Sequence, residues 1–372
     1  VLLAVVPMIS ALTGCGGFFV PPNNGGGGGG GGTTTGRVYV ANAKTATTST
    51  ISGFTIGTGT LTAVNGSPFT LNYVPVALAI SPNNSYLYAA GPSSINVYSI
   101  NSDGSLTQVN GGAVISVASL DISPDGQWLF GLDQLSNVLD EFQINSSTGA
   151  LTPVASNIQY PVPSGTTSWP RMMVKVAPSG NYVFAALGTI GDIVFSLNTT
   201  TGATSWVQQL RLNSSSTSDN ALAVDSTGSY LYIARSGTNG GVAVYTIGAN
   251  GVLNSISGSP FAAGSQPFSV TLDTTGKYLY VANRNAGTIS GYSIGTGSAL
   301  TALNGSPYAS GTQVNSLGVD KSGKYLLAGA GGGGPDLSMY SFDATTLGKL
   351  NLTTSVATDT DPAGVVAIAV TH

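Results

Sequence analysis

Residues Ser269–Asn283, SVTLDTTGKYLYVAN, decide the fold. An alternating apolar run meets a tight polar turn at Thr274-Thr275-Gly276, and an aromatic-rich run then ends in small residues. Alternating β-branched and aromatic residues bounded by Gly, Asp and Asn signal two strands of a hairpin. The same pattern recurs along the chain: RVYVAN at Arg37–Asn42, Val76–Gly91, Ala118–Asp133, Met172–Leu187, Ala221–Arg235 and Leu317–Ala330. One equivalent position per copy gives Tyr39, Tyr88, Phe130, Phe184, Tyr232, Tyr280 and Leu327, with steps of 49, 42, 54, 48, 48 and 47 residues. A β-type period in this range marks a propeller or solenoid array.

The unit Ser269–Pro307 reads as four strands: Ser269–Asp273, Lys277–Asn283, Thr288–Ile294 and Ala299–Leu303. No stretch carries helical periodicity with caps. The first copy begins at its second strand, and the chain finishes on Val366–His372 (VAIAVTH), which aligns with a first strand. That C-terminal strand is therefore expected to pair with Val38–Asn42 and complete the first blade. The expected fold is all-β, a seven-bladed β-propeller of four-stranded blades, and ring closure leaves only short sheet edges.

Charged residues make up 7% of the 372-residue chain, with a net charge of −4. Lys and Arg are scattered, so the basic stripe that nucleic acid requires is missing, and no nucleic-acid partner is expected. The single cysteine, Cys15, follows the apolar Val1–Ala11 and Leu12-Thr13-Gly14. This resembles the lipobox of bacterial lipoprotein signal peptides, in which the cysteine carries the lipid. The apolar run is short for a bilayer span and is interrupted by Pro7. Residues 1–14 then read as a partial signal peptide, 15–36 as a lipidated Cys15 and tether, and 37–372 as the propeller. Gly25–Gly32 are eight consecutive glycines, a flexible leash rather than a core element. The expected location is the bacterial cell envelope, with the membrane reached through a lipid.

The motifs Asp273–Asn283, Asp320–Leu326, Gly59–Thr62 (GTLT), Gly104–Thr107 (GSLT) and Gly149–Thr152 (GALT) resemble those of lactonase-type seven-bladed propellers. These include 6-phosphogluconolactonase-like proteins and Tyr-Val-Thr-Asn repeat surface proteins. The resemblance spans Arg37–His372 and implies the propeller fold. Such motifs build turns and sheets, so they do not by themselves fix an activity. The family often has Pro-His entering a first strand. Here the dipeptides are Pro75-Val76, Pro170-Arg171, Pro267-Phe268 and Pro362-Ala363, and the only histidine is His372. Glu141 is the only glutamate. Lactone hydrolysis draws on a base and an oxyanion donor, and those residue types are nearly missing.

Charges expected near the channel mouth are Asp133, Arg171, Asp192, Arg211, Asp219, Arg235, Arg284 and Asp361, with Trp169 beside Arg171 for stacking. In an inner-strand column of otherwise small or polar residues, blades three and four place Asp121 and Lys175, expected to form an inter-blade ion pair or to line the channel. Asp225, Asp273 and Asp320 each stand three residues before a glycine, a pattern of side chains bonding their own turn. The Gly-Ser-Pro-aromatic copies at Gly66, Gly258 and Gly305 are expected to turn the chain between blades. No His/Cys cluster points to zinc, and neither metal nor cofactor is expected.

From the sequence the favoured function is an exported, lipid-anchored binding scaffold rather than an enzyme, with a cell-envelope protein or glycan as partner. One alternative is a sugar-lactone hydrolase using Arg171, Arg284 and a carboxylate such as Asp133 or Asp219. Another is a structural envelope or filament subunit that self-assembles.

Overall fold

Each repeat folds as one antiparallel sheet whose strands run outward from the axis in chain order. In blade six these are Pro267–Leu272, Tyr278–Asn283, Thr288–Ile294 and Leu300–Ala302. The turn between the first two is built as the Asp-x-x-Gly pattern requires. Asp273 Oδ1 accepts from the N–H groups of Lys277 (2.9 Å) and Tyr278 (2.8 Å). Gly276 takes the left-handed conformation that closes the turn, at φ 67°. Asp225 and Asp320 hold their own turns in the same way.

The computed structural model describes residues 36–372 apart from 46, 134, 155–157, 161–170, 213, 215 and 361–362. The chain divides into two units, Val1–Thr34 and Thr35–His372. The lipobox-like segment, Cys15, the glycine tether, Trp169 and Asp361 lie outside the described residues. Seven sheets form the ring of an all-β, seven-bladed propeller. Blade one is closed by the chain's end: Val365–Val370 pairs with Gly36–Asn42, with Val38 opposite Val370 and Asn42 opposite Val365. Blades one, three and six carry a short fifth strand beyond the expected four, at Phe69–Thr70, Ile158–Gln159 and Tyr308–Ala309. Two of these, with Phe261 in blade five, come from the Gly-Ser-Pro-aromatic segments. There Ser67, Ser259 and Ser306 hydroxyls accept from third-strand N–H groups of Gly53, Val244 and Gly291. Ahead of the fourth strand of blade six, Thr296–Ser298 forms a single 3-10 turn, so that strand is shorter than its sequence suggested. Among the described residues no helix is long and apolar enough to cross a membrane.

The core is distributed. Apolar clusters fill the spaces between successive blades, including the one joining blade seven to blade one around Val38, Val40, Leu327 and Met339. Gly-x-Leu turns clamp this packing. Second-strand tyrosines reach into the outer turn of the next blade, where Tyr39, Tyr88 and Tyr280 donate to the carbonyls of Gly104 (2.8 Å), Gly149 (3.0 Å) and Gly348 (2.6 Å). The glycine is needed twice over at Gly149: φ is +73°, and a Cβ would lie 2.5 Å from Tyr86 Cδ1.

A second set of ties runs around the axis. The innermost strand of each sheet is an edge, and its free N–H groups need acceptors. Ser119, Ser269 and Ser316 hydroxyls accept from Val174, Leu317 and Ile368 N–H groups of the next blade. Asp121 does the same for Val176 at 2.7 Å. These ties join the channel wall between blades three and four, six and seven, and seven and one.

Candidate functional site

At one end of the channel the first strands carry bulges. Phe268 stands unpaired between the Pro267–Asn283 and Ser269–Ala282 pairs. Asn315 and Val366 occupy the same place in blades seven and one. A bulge adds one residue to a strand and re-aims its side chain. All three line an open cavity of about 510 Å³, together with Val76, Arg171 and Arg284.

Arg171 and Arg284 share one aromatic ring. Their guanidinium carbons lie 4.4 and 4.9 Å from the Phe268 centroid, within range of cation–π attraction. Arg171 donates to the Asn315 carbonyl at 3.2 Å, and Arg284 to Gln313 Oε1 at 3.2 Å. Gln313 itself holds a left-handed backbone, φ 56°, rare for a residue with a side chain. Arg284 Nε and Asn315 Oδ1 are buried without a hydrogen-bond partner among the described residues. Burial, and then the Arg284 charge, lowers Arg171 to about 10, so it remains a cation at neutral pH. No carboxylate is among the described residues lining this cavity. Two neighbouring cations with no carboxylate among the described lining residues favour an anion, and guanidinium groups suit carboxylates and phosphates geometrically.

The remaining charges predicted for a site are placed elsewhere. Lys175 and Asp121 pair at 3.1 Å across blades three and four, at the opposite end of the channel. They line a cavity of about 470 Å³ that includes His372, Pro82, Pro124 and Pro178. Asp219 is wholly buried and bonded to Arg235 within blade five. Asp192 lies beside that pair, and burial and the Asp219 charge raise it well above an ordinary carboxylate. Asp133 is buried in blade three, where its carboxylate accepts from the N–H groups of Leu135 and Ser136. Neither Asp133 nor Asp219 lines the arginine cavity. The carboxylate expected beside Arg171 and Arg284 is therefore not supplied by either, because each is engaged by its own blade. Arg211 is exposed. Among the described residues no group of three or more His, Cys, Asp or Glu could hold a metal ion.

Phe268 and Asn315 were not singled out by sequence reasoning as site residues. The available signal was positional, since Pro267-Phe268 stands where lactonase-type relatives often carry Pro-His.

The sequence model of the family described as Lactonase, 7-bladed beta-propeller matches residues 77–167 and 193–347. No curated protein matches the chain. Among solved structures, a 6-phosphogluconolactonase candidate from Bacteroides uniformis superposes with a TM-score of 0.75 at 16% identity, over 91% of this chain and 100% of that one. The periplasmic gluconolactonase of Pseudomonas aeruginosa gives 0.70 at 15% identity, over 91% and 99%. A Lactobacillus plantarum protein gives 0.72 at 16%, over 91% and 99%. At such identities the structural likeness is one of fold.

Proposed function

Because the chain belongs to the family of seven-bladed lactonase propellers, we propose that it hydrolyses lactones at the Arg171–Phe268–Arg284 mouth of its channel. The observation that carries this reading is the pair of guanidinium groups held 4.4 and 4.9 Å from one ring, facing an open cavity with no carboxylate among its described lining residues. The sequence reading that put a scaffold first gives way here to the catalytic alternative, because family and cavity point the same way.

In lactone hydrolysis the oxygen of water bonds to the acyl carbon and the ring C–O bond breaks. The ring oxygen takes up a proton, and the new carboxylic acid releases one to solvent. Negative charge develops on the carbonyl oxygen before the ring opens. Cations fixed in advance stabilise that charge more than they stabilise the neutral lactone, and this difference accelerates the step. The same groups hold the product carboxylate. Phe268 keeps the two guanidinium planes in place, while Asn315 and Gln313 fix their orientation through the hydrogen bonds given above.

The test is hydrolysis of a lactone panel by the full chain in a pH-stat, beside an Arg171→Ala, Arg284→Ala double variant of retained thermal stability. Turnover above the spontaneous rate that the variant lacks is the expected result. Wild-type rates equal to background would overturn the reading. A second reading then takes over, in which the same mouth binds an anionic glycan without turnover and the chain serves as an envelope scaffold. The lipobox-like segment ending at Cys15 and the tether Gly25–Gly32 support it.

A further inference from the structure

Asn315 brings an unused acceptor to the arginine mouth. It stands unpaired between the Val314–Ala330 and Ser316–Gly329 pairs of blade seven, lines the cavity, and is only 7% exposed. Its Nδ2 donates to the Val365 carbonyl at 2.7 Å. Gly331 leaves room for that bond, since a Cβ there would lie 2.7 Å from the same nitrogen. A carbonyl can only accept, so the bond fixes which end of the amide carries the oxygen. Oδ1 is left buried without a hydrogen-bond partner among the described residues.

Blade five shows how the fold fills this acceptor when it does. Asn220 is the matching bulge residue, unpaired between Asp219–Arg235 and Ala221–Ala234, and its Nδ2 reaches the Pro267 carbonyl of the next blade at 2.7 Å. There the Ser218 hydroxyl donates to Asn220 Oδ1 at 2.9 Å. Two residues before Asn315 stands Gln313 instead, whose Oε1 accepts from Arg284. Asn220 does not line the arginine cavity, and Asn315 does. The acceptor is filled away from the cavity and left open beside it.

The rest of the mouth is rich in donors. Arg171 and Arg284 supply guanidinium N–H groups, and Arg284 Nε is itself buried and unpartnered among the described residues. The Ser119 and Ser316 hydroxyls accept from neighbouring N–H groups and keep their own protons to donate. A plain anion serves those donors but leaves Asn315 Oδ1 stranded, at a cost that a ligand with its own donor avoids. Two guanidinium charges oppose an ammonium, so that donor is neutral, an O–H or an amide N–H. Arg171 donates to the main-chain oxygen of Asn315 at 3.2 Å, so cation and acceptor meet at one residue. The donor therefore belongs beside the charged group of the ligand.

We infer that Asn315 is a specificity-determining residue of the mouth, whose Oδ1 accepts from a hydroxyl or amide N–H on the carbon next to the ligand's carboxylate, or next to the carbonyl of the corresponding lactone. Side-chain adjustment of the kind common on binding uncovers the atom. The lactone half rests on the proposed hydrolysis, and the acid half on the mouth alone.

The experiment is calorimetry on the full chain with lactate, propionate, 2-methoxypropionate and N-acetylalanine, beside turnover of lactones with and without a hydroxyl next to the carbonyl. Lactate or N-acetylalanine is expected to bind about ten- to a hundredfold more tightly than propionate and 2-methoxypropionate, which lack the donor. Which of the two gains tells a hydroxyl ligand from an amide one. Asn315→Ala keeps the main-chain oxygen that receives Arg171, so propionate should bind it as before while the donor preference disappears. Asn315→Leu, closer in volume, replaces it if it does not fold. Asn220→Ala removes the matching anchor in blade five and should leave the preference in place. A preference lost in the Asn315 variant upholds the inference even if no lactone is turned over, an outcome that fails only the hydrolase reading. Equal binding of all four acids, or binding of none, overturns the inference, and lactone turnover beside that result leaves the hydrolase reading intact. A preference that persists without Asn315 assigns the acceptor to another group and also overturns it.

Discussion

Asp219 and Arg235 face each other across the first two strands of blade five and form a forked ion pair, Nε to Oδ1 at 2.6 Å and Nη2 to Oδ2 at 2.8 Å. Asp219 has no exposed surface. Removing one partner of a buried pair leaves an uncompensated charge, which costs about 3–5 kcal/mol, whereas replacing both with apolar residues is often near neutral. Arg235→Met is therefore expected to lower stability by that amount in urea unfolding. Asp219→Leu with Arg235→Met is expected to recover most of the loss. Equal losses in the single and double variants would show that the pair does not act as a unit.

A second acidic site makes stability depend on pH. Asp140 is raised from 3.8 to about 7, first by burial and then by the neighbouring Asp133 and Glu141 charges. Its Oδ2 is buried with no hydrogen-bond partner among the described residues. The folded chain thus holds this proton more tightly than the unfolded chain does. The stability linked to it is whole below about pH 4 and is lost as pH rises through 7. Asp192, raised in the same direction, adds to the slope. Asp140→Asn keeps the volume and removes the titration. Thermal melts from pH 5 to about pH 8 should show the variant gaining on the wild type by on the order of 2–4 kcal/mol. Parallel curves for the two proteins would refute this assignment.

The tyrosine–glycine ties between blades predict two further losses. Tyr88→Phe deletes the bond to the Gly149 carbonyl and strands a buried acceptor, at a cost of about 1–3 kcal/mol. Gly149→Ala adds a Cβ 2.5 Å from Tyr86 in a left-handed backbone, and is expected to cost at least as much. Chemical denaturation measures both. A neutral Gly149→Ala would mean that the Tyr86 ring moves aside freely.

These ties explain what was legible in the sequence. Tyr-Leu-Tyr and Gly-x-Leu-Thr recur because blades are built on the same turns, and blades one, two and six on the same tyrosine clamp, so repetition revealed blade number and the closing pair Val38–Asn42 with Val365–Val370. The channel mouth has no such repetition. Phe268 reaches it through a bulge, a one-residue register change that alternation cannot register, and only the ring brings it to Arg171 from blade four. Asp219 and Arg235 were both noted as mouth charges, yet strand register makes them each other's partners and takes them out of the cavity.

That composition of the mouth leads to a pH profile for catalysis. The described lining residues include no carboxylate or imidazole, and the prediction for this mouth is attack by hydroxide rather than by base-activated water. The excess of kcat/KM over background should then climb with pH at close to unit slope from about pH 6 to about pH 9. Burial and the Arg284 charge lower Arg171 only to about 10, so both guanidinium groups stay cationic across this range and face the developing oxyanion throughout. Arg171→Ala should lower the whole profile without changing its slope, whereas a substitution outside the mouth should leave the profile in place. A plateau between about pH 5 and pH 8 would instead reveal a titrating general base and reject hydroxide as the nucleophile.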